Sequence, residues 1–166
     1  RLRETALEEL LQQESPFLVI LEDLQDPGNA GTILRTADAA GADGILCSEG
    51  TADFFSPKVV RASMGSIFHL PVVRTGQFRE ALLMLQRRGV MLAAAHLQAS
   101  LSYDQADYRQ GGGILSGNEG NGLREETANL AQVRISIPQP GRAESLNASV
   151  AAGILMYEVV RQRRAQ

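Results

Sequence analysis

Cysteine is almost missing from this chain. Cys47 stands alone among 166 residues, which excludes an internal disulfide and any multi-cysteine metal site. Histidine is as scarce, with only His69 and His96, and so few ligands argue against a structural zinc. Lys58 is the only lysine. No apolar run approaches the roughly 18 residues of a membrane span, and no signal-peptide pattern opens the chain. These gaps predict a cytoplasmic, metal-free protein with no membrane segment. Arg1 stands where an initiating Met would, which fits a piece of something longer.

What is present suits one α/β domain. A length of 166 residues with 44% hydrophobic content is enough for a substantial core. Net charge is −3, so no global positive field draws in nucleic acid. Apart from Lys58, however, every basic side chain among the charged residues is arginine. Arginine suits bidentate phosphate recognition, and GC-rich codon usage explains the same bias equally well.

Residues 2–14 place Leu2, Ala6 and Leu10, with Leu7 and Leu11, on one helical face. This is read as a helix or linker ahead of a domain spanning residues 15–166. Phe17–Leu21 is a continuous apolar run, the mark of a strand buried on both faces. After the Asp26-Pro27-Gly28 turn, Asn29 is placed as the cap of a helix running from Ala30 to about Ala40 and ending at Gly41. Ala30, Ile33, Leu34, Ala37 and Ala40 form its inner side. Arg35 points away, with Asp38 one turn on as a weak partner. Gly44–Cys47 is a second strand, followed by a short helix over Pro57–Met64 starting at Ser56. Ile67–Leu70 reads as a third strand. A helix over Phe78–Arg87, a strand over Val90–Ala95 and a strand over Gly111–Ser116 come next. A helix from about Arg124 to Leu130 then leads to a strand over Val133–Ile137 and a long terminal helix opened by Ser145-Leu146-Asn147. Strands alternating with helices predict a largely parallel sheet.

Polar clusters follow three of these strands: Asn29 to Arg35, Gly117 to Gly122, and Ser145 to Asn147. In a parallel sheet all strand exits share one edge, where α/β proteins hold ligands. Each cluster also has a local explanation. Ser145 suits a helix N-cap. Glu119 either caps nearby backbone N–H groups or reaches Arg35. His96, at a strand end, is expected to be a hydrogen-bonded loop residue. The glycine-rich segment is neither a Walker loop nor G-x-G-x-x-G, so dinucleotide binding is weakly supported. No plausible Ser-His-Asp order supports hydrolysis. On the terminal helix Leu146, Val150, Ile154, Tyr157 and Val160 form a stripe beside the small residues Ala151, Ala152 and Gly153. That stripe fits either the chain's own core or a second copy.

Taken together, these segments resemble the SpoU-type RNA ribose 2′-O-methyltransferases of the SPOUT superfamily. The first family motif is matched by Asn29-Ala30-Gly31-Thr32-Ile33-Leu34-Arg35-Thr36-Ala37, and the second by Leu115-Ser116-Gly117-Asn118-Glu119-Gly120-Asn121-Gly122. The third is similar to Ile137-Pro138 followed by Ser145-Leu146-Asn147-Ala148-Ser149-Val150-Ala151, with Ala148 where valine is usual. The resemblance implies an α/β fold whose parallel sheet is flanked by helices and whose C-terminal segment forms a trefoil knot. It implies S-adenosylmethionine as cofactor, held by Leu97, Gly117, Ile137 and Leu146 and the loops around them. It also implies a homodimer in which the first motif completes the partner's pocket. The site residues it marks are Arg35, Asn29, Glu119, Ser145 and Asn147. Arg35 would position and polarise the ribose hydroxyl, and Glu119 would orient Arg35. The implied substrate is RNA, ribosomal ahead of transfer RNA. A non-catalytic RNA-binding module of the same fold is the alternative. No RNA-recruiting domain is expected before Phe17, and Arg87, Arg88, Arg161, Arg163 and Arg164 are candidate RNA contacts.

Overall fold

The computed structural model describes residues 4–99 and 101–165. Seven parallel strands form one sheet in the order β3-β2-β1-β6-β4-β7-β5. They are β1 (Phe17–Leu21), β2 (Gly44–Ser48), β3 (Val72–Thr75), β4 (Met91–Ala95), β5 (Leu101–Ser102), β6 (Gly112–Ser116) and β7 (Val133–Ser136). The helices are α1 (Glu4–Glu9), α2 (Pro27–Ala39), α3 (Pro57–Ala62), α4 (Phe78–Arg87), α5 (Glu125–Ala128) and α6 (Ala148–Arg164).

The central strands are apolar without alternation because both faces are covered. Val19 and Leu21 of β1 join a core with Ile33, Leu34 and Ala37 of α2, Val59 of α3, and Leu155 and Met156 of α6. Leu18 and Ile20 point to a second core with Leu82 and Leu85 of α4 and Leu92 of β4. Leu7 of α1 and Leu10 just after it are buried in that second core, so the N-terminal helix packs on the sheet. Each fully buried leucine or isoleucine contributes about 2 kcal/mol. Leu2 lies outside the described residues.

Two expected elements differ. Ile67–Leu70 is not a strand: Ser66–Phe68 forms a 3-10 turn, and β3 begins only after Pro71. Proline lacks a backbone N–H, yet the Pro71 carbonyl accepts from Ile45 N at 2.9 Å, so ladder pairing starts there. The cap of α2 is Asp26 rather than Asn29, with Pro27 in the first turn, and the Asp26 carboxylate accepts from Asn29 N at 2.8 Å.

Asp38 does not pair with Arg35. Its carboxylate accepts from Ser66 Oγ at 2.8 Å and lies 3.2 Å from His69 Nδ1, tying the 3-10 turn to α2. The Ser66 bond, then His69, holds its pKa below the ordinary aspartate value of 3.8. A depressed carboxylate stabilises the fold above its unfolded-state pKa, and that stability is lost as pH falls through the folded value. Asp38→Asn should therefore cost about 1 kcal/mol at neutral pH. The deficit should shrink once the pH drops below the ordinary aspartate range, as urea melts across that range would show.

The terminal helix buries a different side from the expected stripe. Ala152, Leu155, Met156 and Val159 face the core, while Val150 and Tyr157 are exposed. Glu158 is buried on the inner side, bonded to Arg161 and Gln162. Arg163 stacks over the Phe17 ring at 5.8 Å from its centroid. Arg88 pairs with Glu8. Three of the arginines considered for RNA are thus engaged within the chain. Among the described residues, no helix is long and apolar enough to cross a membrane. Burial pushes the Cys47 thiol up to about 11, leaving it an unreactive core residue.

Candidate active site

Because every strand is parallel, the exits of β1, β6, β4 and β7 open on one edge. The loop after β1 and the loop after β6 are bonded into one unit there. Glu22, at the end of β1, is buried, and its carboxylate accepts from Arg124 N at 2.8 Å and from the Thr127 hydroxyl. Asn118 Nδ2 donates to Asp23 O at 2.8 Å, while its Oδ1 accepts from Gly120 N and Asn121 N. Asn118 and Gly122 exchange backbone hydrogen bonds, closing a tight loop.

Glu119 sits on that loop and does not contact Arg35. Its two carboxylate oxygens accept from Gln25 N at 3.2 Å and Asp26 N at 2.8 Å. The backbone-capping alternative is the one realised, but the amides lie 93 and 94 residues away rather than next door. These two amides immediately precede α2, so Glu119 locks the start of the helix that carries Asn29 and Arg35.

The third cluster arrives from the terminal helix. Asn147, not Ser145, is the N-cap of α6; its Oδ1 accepts from Ser149 N at 2.9 Å and Val150 N at 3.2 Å. With the oxygen committed to two backbone donors, the amide nitrogen faces outward and donates to Asn29 Oδ1 at 3.2 Å. Residues 118 positions apart are thereby joined. Ser145 is exposed two residues before the cap and makes no hydrogen bond among the described residues. Substituting Asn147→Ala should cost about 1 kcal/mol through the lost cap. Asn147→Ser should recover most of that stability without restoring the bridge to Asn29, which thermal melts beside activity assays would separate.

Arg35 lies six residues beyond Asn29, about 9 Å further along the axis of α2. It is exposed, with no ion pair or hydrogen bond among the described residues. Its neighbour Thr36 faces α6, the Thr36 methyl lying 3.8 Å from where a Cβ on Gly153 would be. The guanidinium is therefore a free group on α2, with its five donors unspent.

The exits of β6, β4 and β7 are adjacent in the sheet, and they carry the residues expected to hold a cofactor. Leu97, two residues past β4, is 81% exposed, an unusual setting for a large apolar side chain at a strand end. Ile137 and Leu146 are half-buried. The backbone of residues 138–146 forms no hydrogen bond among the described residues, and residues 138–145 are all exposed. Such a segment offers amides and carbonyls beside apolar side chains, which suits a ligand with a flat heterocycle and a zwitterionic end. The residues present fit S-adenosylmethionine on those grounds. Gly117 has its own constraint: a Cβ there would stand 2.2 Å from the Gly122 carbonyl carbon. His96 is structural, accepting from Gln98 N at 3.1 Å and lying 3.7 Å from Glu125.

Sequence reasoning missed Glu22, Gln25 and Asp26 as parts of this assembly. The amides of Gln25 and Asp26 carry no side-chain signal. Asn118 was within reach, since it stands between Gly117 and Glu119 in the quoted motif.

Known proteins bear on this arrangement. The model of the SpoU rRNA Methylase family matches residues 16–157. Bacillus subtilis 23S rRNA (guanosine(2553)-2'-O)-methyltransferase RlmP is 38% identical over 142 residues, covering 86% of this chain and 57% of RlmP. The AdoMet-bound rRNA methyltransferase from Sinorhizobium meliloti superposes with TM-score 0.84 at 46% identity, over 90% of this chain and 57% of that one. The SpoU methyltransferase AviRb from Streptomyces viridochromogenes, in complex with the cofactor AdoMet, gives TM-score 0.90 at 35% identity, over 96% of this chain and 65% of that one. The chain spans about three fifths of the length of the curated relatives it matches. With a family match over most of its length, the chain belongs to the SpoU rRNA methylase family.

Proposed function

We propose that this chain is the catalytic domain, residues 15–166, of an S-adenosylmethionine-dependent RNA methyltransferase that methylates a ribose 2′-hydroxyl. The observation that carries the reading is the Asn29–Asn147 bond, which brings the first and third motifs together, with Arg35 of the first motif left exposed and unpaired. RlmP, a 2′-O-methyltransferase of ribosomal RNA by name, supports ribosomal RNA as the substrate ahead of transfer RNA. The reaction belongs in the cytoplasm, where such RNA is found.

When bound, S-adenosylmethionine supplies an electrophilic methyl group on a sulfonium sulfur. Leu97, Ile137 and Leu146 would pack against its apolar surface, and the backbone of the Gly117 turn and of residues 138–146 would bind its polar edges. A ribose hydroxyl is a poor nucleophile at neutral pH and needs polarisation. Arg35 has donors only, so it acts by holding the hydroxyl oxygen or the adjacent phosphate rather than by taking a proton. Glu119 acts at one remove: by fixing the amides of Gln25 and Asp26 it sets the direction of α2 and hence of Arg35. Asn29 and Asn147 hold α2 and α6 in register, and Ser145 stands free to meet the ribose.

The active unit is a homodimer in which Arg35 completes the partner's pocket. Support comes from the outward residues Val150 and Tyr157, large apolar side chains left uncovered on α6. A C-terminal trefoil knot, with the segment after β7 threaded into the cofactor loops, accompanies this reading.

Incubating the chain with tritiated S-adenosylmethionine and ribosomal or transfer RNA tests the proposal. The label should enter RNA, and alkaline digestion should leave it in dinucleotides, because a 2′-O-methyl group blocks cleavage at its own phosphate. Label in mononucleotides would place the methyl on a base and refute the ribose assignment.

A further inference from the structure

Three of the exposed large apolar side chains cluster in the connection between β2 and β3. Phe55 is 72% exposed, Met64 70% and Phe68 82%, whereas the adjacent Phe54 and Ile67 are buried. Phe55 precedes α3, Met64 follows it, and Phe68 ends the 3-10 turn. This connection is not loose. Ala62 packs so tightly on α2 that a Cβ on Gly31 would stand 2.4 Å from the Ala62 Cβ. Asp38 bonds the 3-10 turn to α2 from the other side. The three side chains are thus presented by a segment fixed to the helix that bears Arg35.

The connection carries both signs, with Glu49 and Asp53 ahead of Phe55 and Lys58 and Arg61 on α3. Lys58 and Arg61 are spaced three apart on α3, both exposed, and neither has a hydrogen bond or ion pair among the described residues. Arg35 on α2 is equally free. The only carboxylate within α2 and α3 is Asp38, already engaged by Ser66 and His69. Lys58 and Arg61 thus stand unpaired on α3 between the exposed rings of Phe55 and Phe68, and the nearby Asp53 carboxylate accepts from Phe55 N at 2.9 Å.

We propose that this face, Phe55, Lys58, Arg61, Met64 and Phe68, is a docking surface for unpaired RNA flanking the nucleotide held at Arg35. This rests on the RNA-methyltransferase reading above. Lysine and arginine take phosphates, and phenylalanine rings stack on bases whatever their identity. In an A-form duplex the bases are already stacked on one another, so exposed rings select single strands, loops and bulges.

The test is fluorescence anisotropy of a labelled, unstructured RNA 20-mer and of its duplex across a salt series. Sedimentation and S-adenosylmethionine titration are run on the same samples. The unsubstituted chain should prefer the single strand. Phe55→Ala and Phe68→Ala should each weaken single-strand binding about tenfold. Phe68→Leu should do as poorly as Phe68→Ala, and Phe68→Trp should retain binding. Lys58→Ala and Arg61→Ala should each lower the salt slope by about 0.7. Cofactor affinity and oligomeric state should not change in any of them.

Single-strand binding unaltered by all four alanine variants overturns the proposal. So does a Phe68→Leu variant as good as the parent, or a Phe68→Ala variant that alters the sedimenting species, since either assigns the face to contact with a second copy. A parent chain that binds the cofactor but no RNA sinks this surface along with the RNA substrate. Absence of cofactor binding instead strikes the methyltransferase reading itself.

Discussion

Arg35→Ala should abolish methyl transfer while leaving S-adenosylmethionine affinity within a few-fold of the parent. Arg35 is exposed and unpaired, so its removal leaves no buried partner stranded and breaks no packing. Such surface substitutions usually move stability by no more than about 0.5 kcal/mol. On the proposed mechanism, what disappears is the group that polarises the hydroxyl, an interaction made in the transition state and worth a large loss in turnover. Arg35→Lys should recover little, because a single ammonium lacks the planar fork. Single-turnover assays with cofactor titrations on the same samples separate the two effects. An alanine variant with full activity would remove Arg35 from the mechanism.

Gly117→Ala should have the largest effect on cofactor binding. The new methyl group would meet backbone rather than a flexible side chain: Gly122 C at 2.2 Å and Leu123 N at 2.3 Å. Neither can yield without opening the loop closed by Asn118 and Gly122. Opening it releases Glu119 from Gln25 and Asp26, so the disturbance passes from the second motif into the first. Overpacking of this kind costs roughly 1–3 kcal/mol of stability. Cofactor affinity should fall more than tenfold if, as proposed, the turn contributes backbone to the cofactor pocket. Parent-like binding in calorimetry, at unchanged melting temperature, would show that the Gly117 turn does not line the cofactor.

The fold was legible wherever apolar runs were continuous. Phe17–Leu21 and the run ending at Ala95 read as buried strands because both faces of the sheet are covered, leaving no polar alternation to confuse them. The edge was harder. Val72–Thr75 alternates burial at the margin of the sheet, and a stronger apolar run just before Pro71 drew the strand assignment to Ile67–Leu70. The inner side of α6 was misread for a chemical reason. Its buried side includes Glu158, satisfied by Arg161 and Gln162, and the small Ala152, so the larger residues Val150 and Tyr157 outline the opposite side.

The residues that tie the loops together stood out in the sequence, but their bonds did not. Asn29, Glu119 and Asn147 were all marked, and all hold the junction of loops together. The partners could not be read, because they depend on which loops meet at the sheet edge. Glu119 turned out to grip the amides ahead of α2 instead of Arg35, and Asn147 took the capping role expected of Ser145. Asp26 capped α2 because the proline after it is preorganised for the first helical turn, leaving Asn29 free to bond across to α6.

Calorimetric titration of S-adenosylmethionine into the chain tests the methyl-donor pocket directly. The account predicts a saturable heat and a raised melting temperature, with NAD giving neither. No heat and no thermal shift with S-adenosylmethionine, in a sample that still binds RNA, would contradict it and leave a non-catalytic RNA-binding module in its place.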